Sequence, residues 1–208
     1  RKKSEIAEEI DIAKKNCESR DVELYLGCDS EGLIGEMSSE LGTEAAARKA
    51  RYAFLNDIAE KNSFNFIAVA HNQDDNYETI IMRFFTGSGP EGLKGISEKS
   101  SNIIRPLLRV KKMDVMEYLD ENKIPYSFDS TNGSKNYLRN RVRNELIPCL
   151  RSIYPGFEKS ISELAEKMSL ADQFMTDETE RRLKWEEQGD YLVTDFTAFK
   201  NLPLYLRI

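Results

Sequence analysis

FNFIAVAHNQDDNYETIIMRFF, residues 64–85, is the stretch whose reading decides the fold. FNFIAVA (Phe64 to Ala70) is an apolar run bounded by polar residues, the pattern of a buried strand in a parallel sheet. DNYETIIMRFF (Asp75 to Phe85) predicts a helix, stopped by GSGPEGLKG. Between the two lie the only histidine of the chain, His71, and the adjacent acids Asp74 and Asp75, with Glu78 one turn further on. The charged residues therefore fall where a strand's C-terminal end meets a helix N-terminus, the place where open α/β sheets bind ligands.

The pattern continues outward. Ile6, Ile10, Ala13 and Cys17 recur at helical spacing within Ser4–Ser19, and DVELYL (Asp21–Leu26) predicts a short strand. Residues 27–42 are rich in Gly, Ser and acids and suit a loop. TEAAARKARYAFLNDIAEK (Thr43–Lys61) predicts a helix with Thr43 as its N-cap and Ala47, Tyr52, Leu55 and Ala59 along one side. NIIRPLL (Asn102–Leu108) predicts an extended segment, and KKMDVMEYLDENK (Lys111–Lys123) a helix. A polar loop, FDSTNGSKN, leads into YLRNRVRNELIPCL (Tyr137–Leu150), helical despite Pro148. A long amphipathic helix follows Pro155 to about Trp185, and YLVTDFTAFKNLPLYLRI opens as a strand. The alternation implies an α/β domain built on a parallel sheet.

Composition narrows the class. The 208 residues are 40% apolar and 32% charged, with a formal net charge of −6, which argues against a surface coated in positive charge for nucleic acid but leaves room for a local basic patch. No stretch of 18 uncharged apolar residues occurs, so no membrane partner is expected and a cytoplasmic location is the default. Cys17, Cys28 and Cys149 form no CxxC pair and read as reduced thiols.

Three constellations carry chemistry. In HNQDDNYET the acids at the helix start could be caps, Asp74 in particular, or could bind Mg²⁺ or a substrate ammonium; Glu78 shares a face with Asp75 three residues before it. His71 gains weight only from its place beside them. GSGPEGLKGI (Gly87–Ile96), with Gly87 and Gly89, is a loop or a nest of backbone N–H groups for phosphate. In RNRVRNE, Arg139, Arg141 and Arg143 cannot share one helical face. One or two would point at a site or polyanion while another is solvated, and the surrounding basic patch suits phosphate.

Taken in order, AHNQDDNYET, GSGPEGLKGI, IIRPLL and FDSTNGSKNYLRNRVRNELIP resemble the tRNA(Ile)-lysidine synthase family of N-type ATP pyrophosphatases, the PP-loop superfamily. EAAARKARY, with Glu44, Arg48, Arg51 and Tyr52, matches that family's E-x-x-A-R-x-x-R-Y pattern. The resemblance covers nearly all of residues 1–175. It implies an adenine nucleotide alpha hydrolase-like domain over residues 1–150, a helical linker over 151–188 and the start of a C-terminal tRNA-binding domain over 189–208. The implied enzyme is a ligase that uses ATP and Mg²⁺ to adenylate the wobble cytidine of the CAU-anticodon tRNA(Ile), then joins free L-lysine to C2 of that base with loss of AMP. The codon read changes from AUG to AUA. Carried over by motif, Asp75 and Glu78 are the lysine-recognising acids and Arg139 a catalytic arginine. His71, Arg48, Gly87, Gly89, Arg105 and Arg143 fall on the substrate and nucleotide side, Asp74 is a candidate Mg²⁺ ligand, and Asp129 and Asn132 brace the loop before Arg139. A homodimer is compatible with this reading.

The family's Ser-Gly-Gly-x-Asp-Ser loop is absent from the sequence, which begins at Arg1 without methionine, so a fragment missing the first strand and the ATP phosphate cradle is expected, inactive alone. Two alternatives are a tRNA cytidine thiolase of the same superfamily, which the isolated cysteines disfavour, and a noncatalytic tRNA-binding remnant.

Overall fold

A computed structural model describes residues 3–28, 35, 42–128 and 137–207. The chain divides into two compact units, Arg1–Asp75 with Ser97–Asn140, and Asn76–Ile96 with Arg141–Ile208.

The first unit holds helices α1 (Lys3–Glu18) and α2 (Thr43–Lys61) and a three-stranded sheet of β1 (Ile67–Ala68), β2 (Lys99–Ser100) and β3 (Ile103–Ile104). The strand order is β1-β3-β2, with β1 parallel to β3 and β2 antiparallel to it. The parallel pairing expected from the apolar run is present, with the Ile67 N–H donating to Asn102 O at 2.8 Å and the Val69 N–H to Ile104 O at 3.0 Å. The run is not buried along its length, however. Ile67 is 6% exposed, whereas Phe64 and Phe66 are half exposed, because side chains alternate faces along a strand and, among the described residues, β1 pairs only with β3. Asp21–Leu26 likewise forms no ladder among the described residues, with Val22 and Leu26 exposed. Helix α2 packs on β1. Its first residue is Thr43, and Gly42, at φ 79°, takes the cap position that the sequence suggested for the threonine. The predicted loops at 27–42 and 128–136 fall mostly outside the described residues, as do Asp129 and Asn132.

Helix α3 (Gln73–Phe85) begins two residues earlier than expected and carries the acids. The second unit takes most of it, with α4 (Pro90–Leu93), α7 (Ile147–Ile153), α8 (Phe157–Arg182), the antiparallel pair β4 (Glu186–Gln188) and β5 (Tyr191–Val193), and α9 (Phe196–Lys200). Helix α5 (Lys112–Glu121) belongs to the first unit, and the short α6 (Leu138–Arg141) leads from it into a π turn at Val142–Leu146. The π turn has a covalent cause. Pro148 offers no N–H to the preceding turn, and the Ile147 N–H reaches five residues back to Val142 O, so the single helix expected over Tyr137–Leu150 widens there before resuming. One core of this unit joins Ile81, Val142, Ile147 and Phe157; another joins Leu183, Leu202 and Leu206. Among the described residues no helix is long and apolar enough to cross a membrane.

Candidate active site

The start of α3 is fixed by its own side chains. Asn72 Oδ1 accepts the Asp75 N–H at 3.1 Å and Asp75 Oδ2 accepts the Asn72 N–H at 3.0 Å, a reciprocal capping box that satisfies two donors a helix start leaves open. The capping duty assigned to Asp74 thus falls to Asn72 and Asp75. Asp74 turns instead to another helix, its Oδ2 accepting the N–H of Lys112, the first residue of α5, at 2.8 Å. Adjacent acids project about 100° apart on a helix, so only one can fold back on its own first turn.

Asp75 also accepts from Arg139: Nη2 donates to Oδ1 at 3.1 Å, with the two side chains 18% and 27% exposed. His71 lies in the same electrostatic neighbourhood. Burial pushes its pKa below the usual value, Asp75 pulls it up, and Arg105, Arg48 and Arg139 each push it further down, so the imidazole is held neutral at physiological pH. Among the described residues its buried Nδ1 has no partner. Arg105 is 8% exposed and donates Nη1–H to Ser97 O at 2.7 Å, and its buried Nε has no partner among the described residues. Arg48 lies over the Tyr52 ring, 4.8 Å from its centroid. The first unit therefore gathers His71, Arg48, Arg105, Arg139 and Asp75: three guanidiniums, a neutral imidazole and one carboxylate. Among the described residues these two buried nitrogens have no partner, and the Arg105 Nε–H is a donor open to an acceptor.

Glu78 and Arg143 meet in the second unit. Arg143 donates Nε–H to Oε1 at 2.5 Å and Nη2–H to Oε2 at 3.0 Å, a fork that engages both oxygens of a carboxylate only 1% exposed. The acid and the arginine that the sequence reading gave to different ligands hold one another, since a charge this deep needs an opposite one beside it. Arg141, between the two inward arginines, is exposed and pairs with Glu145 on its own helix at 3.4 Å, the solvated member the alternation required.

The glycine stretch is tied into the second unit. The N–H groups of Gly87, Ser88, Gly92, Leu93, Lys94 and Gly95 donate to carbonyls of 82–92, and that of Ile96 to Asn76 Oδ1. Those seven are spent internally, the Gly87 N–H among them, which leaves the Gly89 N–H outside this set. Gly95 is glycine for a local reason: its φ is 81°, and a Cβ there would overlap Asn76 Oδ1.

The description of the PP-loop domain matches residues 3–150. The chain belongs to the PP-loop domain family. Over 211 aligned residues this PP-loop chain is 40% identical to the tRNA(Ile)-lysidine synthase of Borreliella burgdorferi, covering 99% of this chain and 47% of the relative. The protein of the same name from Thermosipho africanus is 34% identical, with 99% and 50% covered. The PP-loop chain spans about half the length of the curated relatives it matches. Among solved structures it resembles the U34-tRNA thiolase NcsA from Methanococcus maripaludis with its 4Fe-4S cluster, at a TM-score of 0.57 and 21% identity, covering 78% of this chain and 57% of that one. That likeness speaks to the α/β fold alone.

Among the described residues no three His, Cys, Asp or Glu side chains could together hold a metal ion. Asp74, with one oxygen on the Lys112 N–H, fits only as a single ligand to an ion carried in on a nucleotide, the usual arrangement for Mg²⁺. Sequence reading passed over Asn72, although Asn-x-x-Asp before an apolar run is a capping pattern, and Gln73, whose buried Oε1 has no partner among the described residues.

Proposed function

We propose that the complete protein carrying this chain is a cytoplasmic tRNA(Ile)-lysidine synthase, a carbon-nitrogen ligase acting on the CAU-anticodon tRNA with ATP and free L-lysine. The observation that supports it most is the cationic cluster of the first unit, Arg48, Arg105 and Arg139 around a neutral His71, with one carboxylate beside it. The curated relatives of that name, matched along nearly the whole chain, support tRNA(Ile) as the substrate.

In this reading the cytidine O2 attacks the α-phosphorus of ATP and pyrophosphate leaves. Guanidiniums stabilise the charge gathering on the phosphate oxygens, and His71, uncharged, hydrogen-bonds without adding a cation. Mg²⁺ held on the triphosphate, with Asp74 as one ligand, would neutralise further phosphate charge. The ε-amine of lysine then attacks C2, the bond from C2 to the adenylated oxygen breaks, AMP leaves and the amine loses a proton. Asp75 takes the lysine ammonium and accepts that proton. Glu78 contributes by exchanging the Arg143 guanidinium for the lysine ammonium. A homodimer is compatible with this scheme.

Mass spectrometry of isoleucine tRNA after incubation of the complete protein with ATP, Mg²⁺ and lysine tests the reading: lysidine is expected, and unmodified or thiolated cytidine overturns it. Arg139→Ala should abolish the product while tRNA binding persists. Glu78→Gln should raise the lysine requirement far more than the ATP requirement.

A further inference from the structure

The second unit contains a cavity of about 990 Å³ for which the chemistry above has no use. Its walls include Arg83, Gly89, Asp172, Glu180, Trp185 and Tyr205. Trp185 and Tyr205 are 47% and 53% exposed, yet neither is on loose chain. Leu183, two residues before the tryptophan, and Leu206, just after the tyrosine, are buried and pack with Leu202 in their own small core. Aromatic faces held by a core but open to solvent are stacking surfaces for flat rings.

Charge narrows the ligand. Arg83 donates Nη1–H to Gly92 O at 3.0 Å and to Gly95 O at 2.9 Å, and Lys94 Nζ holds Asp172 Oδ2 at 2.6 Å. The other charged walls, Glu91 and Glu180, are acidic. Carboxylates repel phosphate but accept from amino groups on the edge of a base. Gly89 has an ordinary φ of −76°, and a Cβ there would meet nothing within 4 Å. Neither backbone nor packing requires glycine at that point of the wall, where the bare backbone is open to a ring.

We infer that this cavity receives one unstacked nucleobase of a single-stranded RNA, stacked on Trp185 or Tyr205 with its exocyclic amino group toward Glu180. The choice of RNA over another flat amine rests on the tRNA reading above.

Trp185 is the only tryptophan in the chain, so its emission reports on this cavity alone. A short end-labelled RNA of cytosines gives two readouts, anisotropy for binding and tryptophan emission for the site. Emission should be quenched with the same midpoint as the anisotropy, and Tyr205→Ala should weaken binding about tenfold. An RNA of uracils, which lack the amino group, should bind less tightly, and Glu180→Gln should narrow that difference. Glu180 is exposed, so this variant carries the test even if Tyr205→Ala loosens the neighbouring residues. RNA binding with unchanged Trp185 emission, or with no preference for cytosine, overturns the cavity assignment and leaves the tRNA reading standing. No RNA binding at all overturns the cavity assignment too, and the lysidine assay then decides the wider reading separately.

Discussion

Asp75 and Glu78 are three residues apart on one helix, and their surroundings differ in kind. Asp75, in the first unit, is 18% exposed and accepts from the Asn72 backbone N–H and from Arg139. Glu78, in the second, is 1% exposed with both oxygens in the fork of Arg143. A partly solvated carboxylate can exchange partners at small cost, whereas a buried one left without its arginine keeps an uncompensated charge. Two acids of one motif thus divide the work: Asp75 keeps a partly solvated carboxylate, and Glu78 a buried one that ties α3 to Arg143.

The largest expected effect is that of Arg143→Ala, which takes the guanidinium fork away from the buried Glu78 carboxylate. A loss of about 3 kcal/mol is expected from urea unfolding, with the midpoint moving and the slope unchanged; a shift within error would make the buried fork irrelevant to stability. Asp75→Ala should cost only about 1 kcal/mol, the worth of a capping interaction, while removing lysidine formation in the complete protein. Equal stability losses for the two variants would erase the division of work.

Protonation of His71 sharpens the picture further. Its folded pKa lies below the ordinary value near 6.5, so between the two the unfolded chain binds the extra proton. Stability therefore falls as pH drops from neutral through about 6.5 toward the folded value. His71→Asn should flatten that part of the profile, read from urea midpoints across the range, and an unaltered profile would remove the burial argument. Smallest of all, Arg141→Ala should stay within about 0.5 kcal/mol, since its pair with Glu145 is exposed.

How far the sequence carried can be judged residue by residue. Helical periodicity is a local property, and α2, α3 and α8 fall close to their expected limits. The arginine alternation was legible for the same reason, because residues two apart cannot share a helical face. Strand burial was not legible, since the run from Phe64 to Ala70 does not say how many neighbours it pairs with. Nor could composition tell which of two adjacent aspartates caps its own helix, when the answer depends on Lys112 arriving beside Asp74. The Glu78–Arg143 fork joins residues 65 positions apart, and nothing in either local pattern names the other.

That separation has a consequence for how the chain is made. Translation delivers Asn72 and Asp75 within three codons of each other, so the helix start can close as soon as it clears the ribosome. Arg139 and Arg143 emerge only after some sixty further residues have been added. Throughout that interval Glu78 lacks the Arg143 fork that holds both of its oxygens in the folded chain. The second unit therefore closes late, since Val142, Arg143, Ile147 and Phe157 all follow that interval, and a nascent chain stalled before residue 142 would present an open, protease-sensitive face of α3.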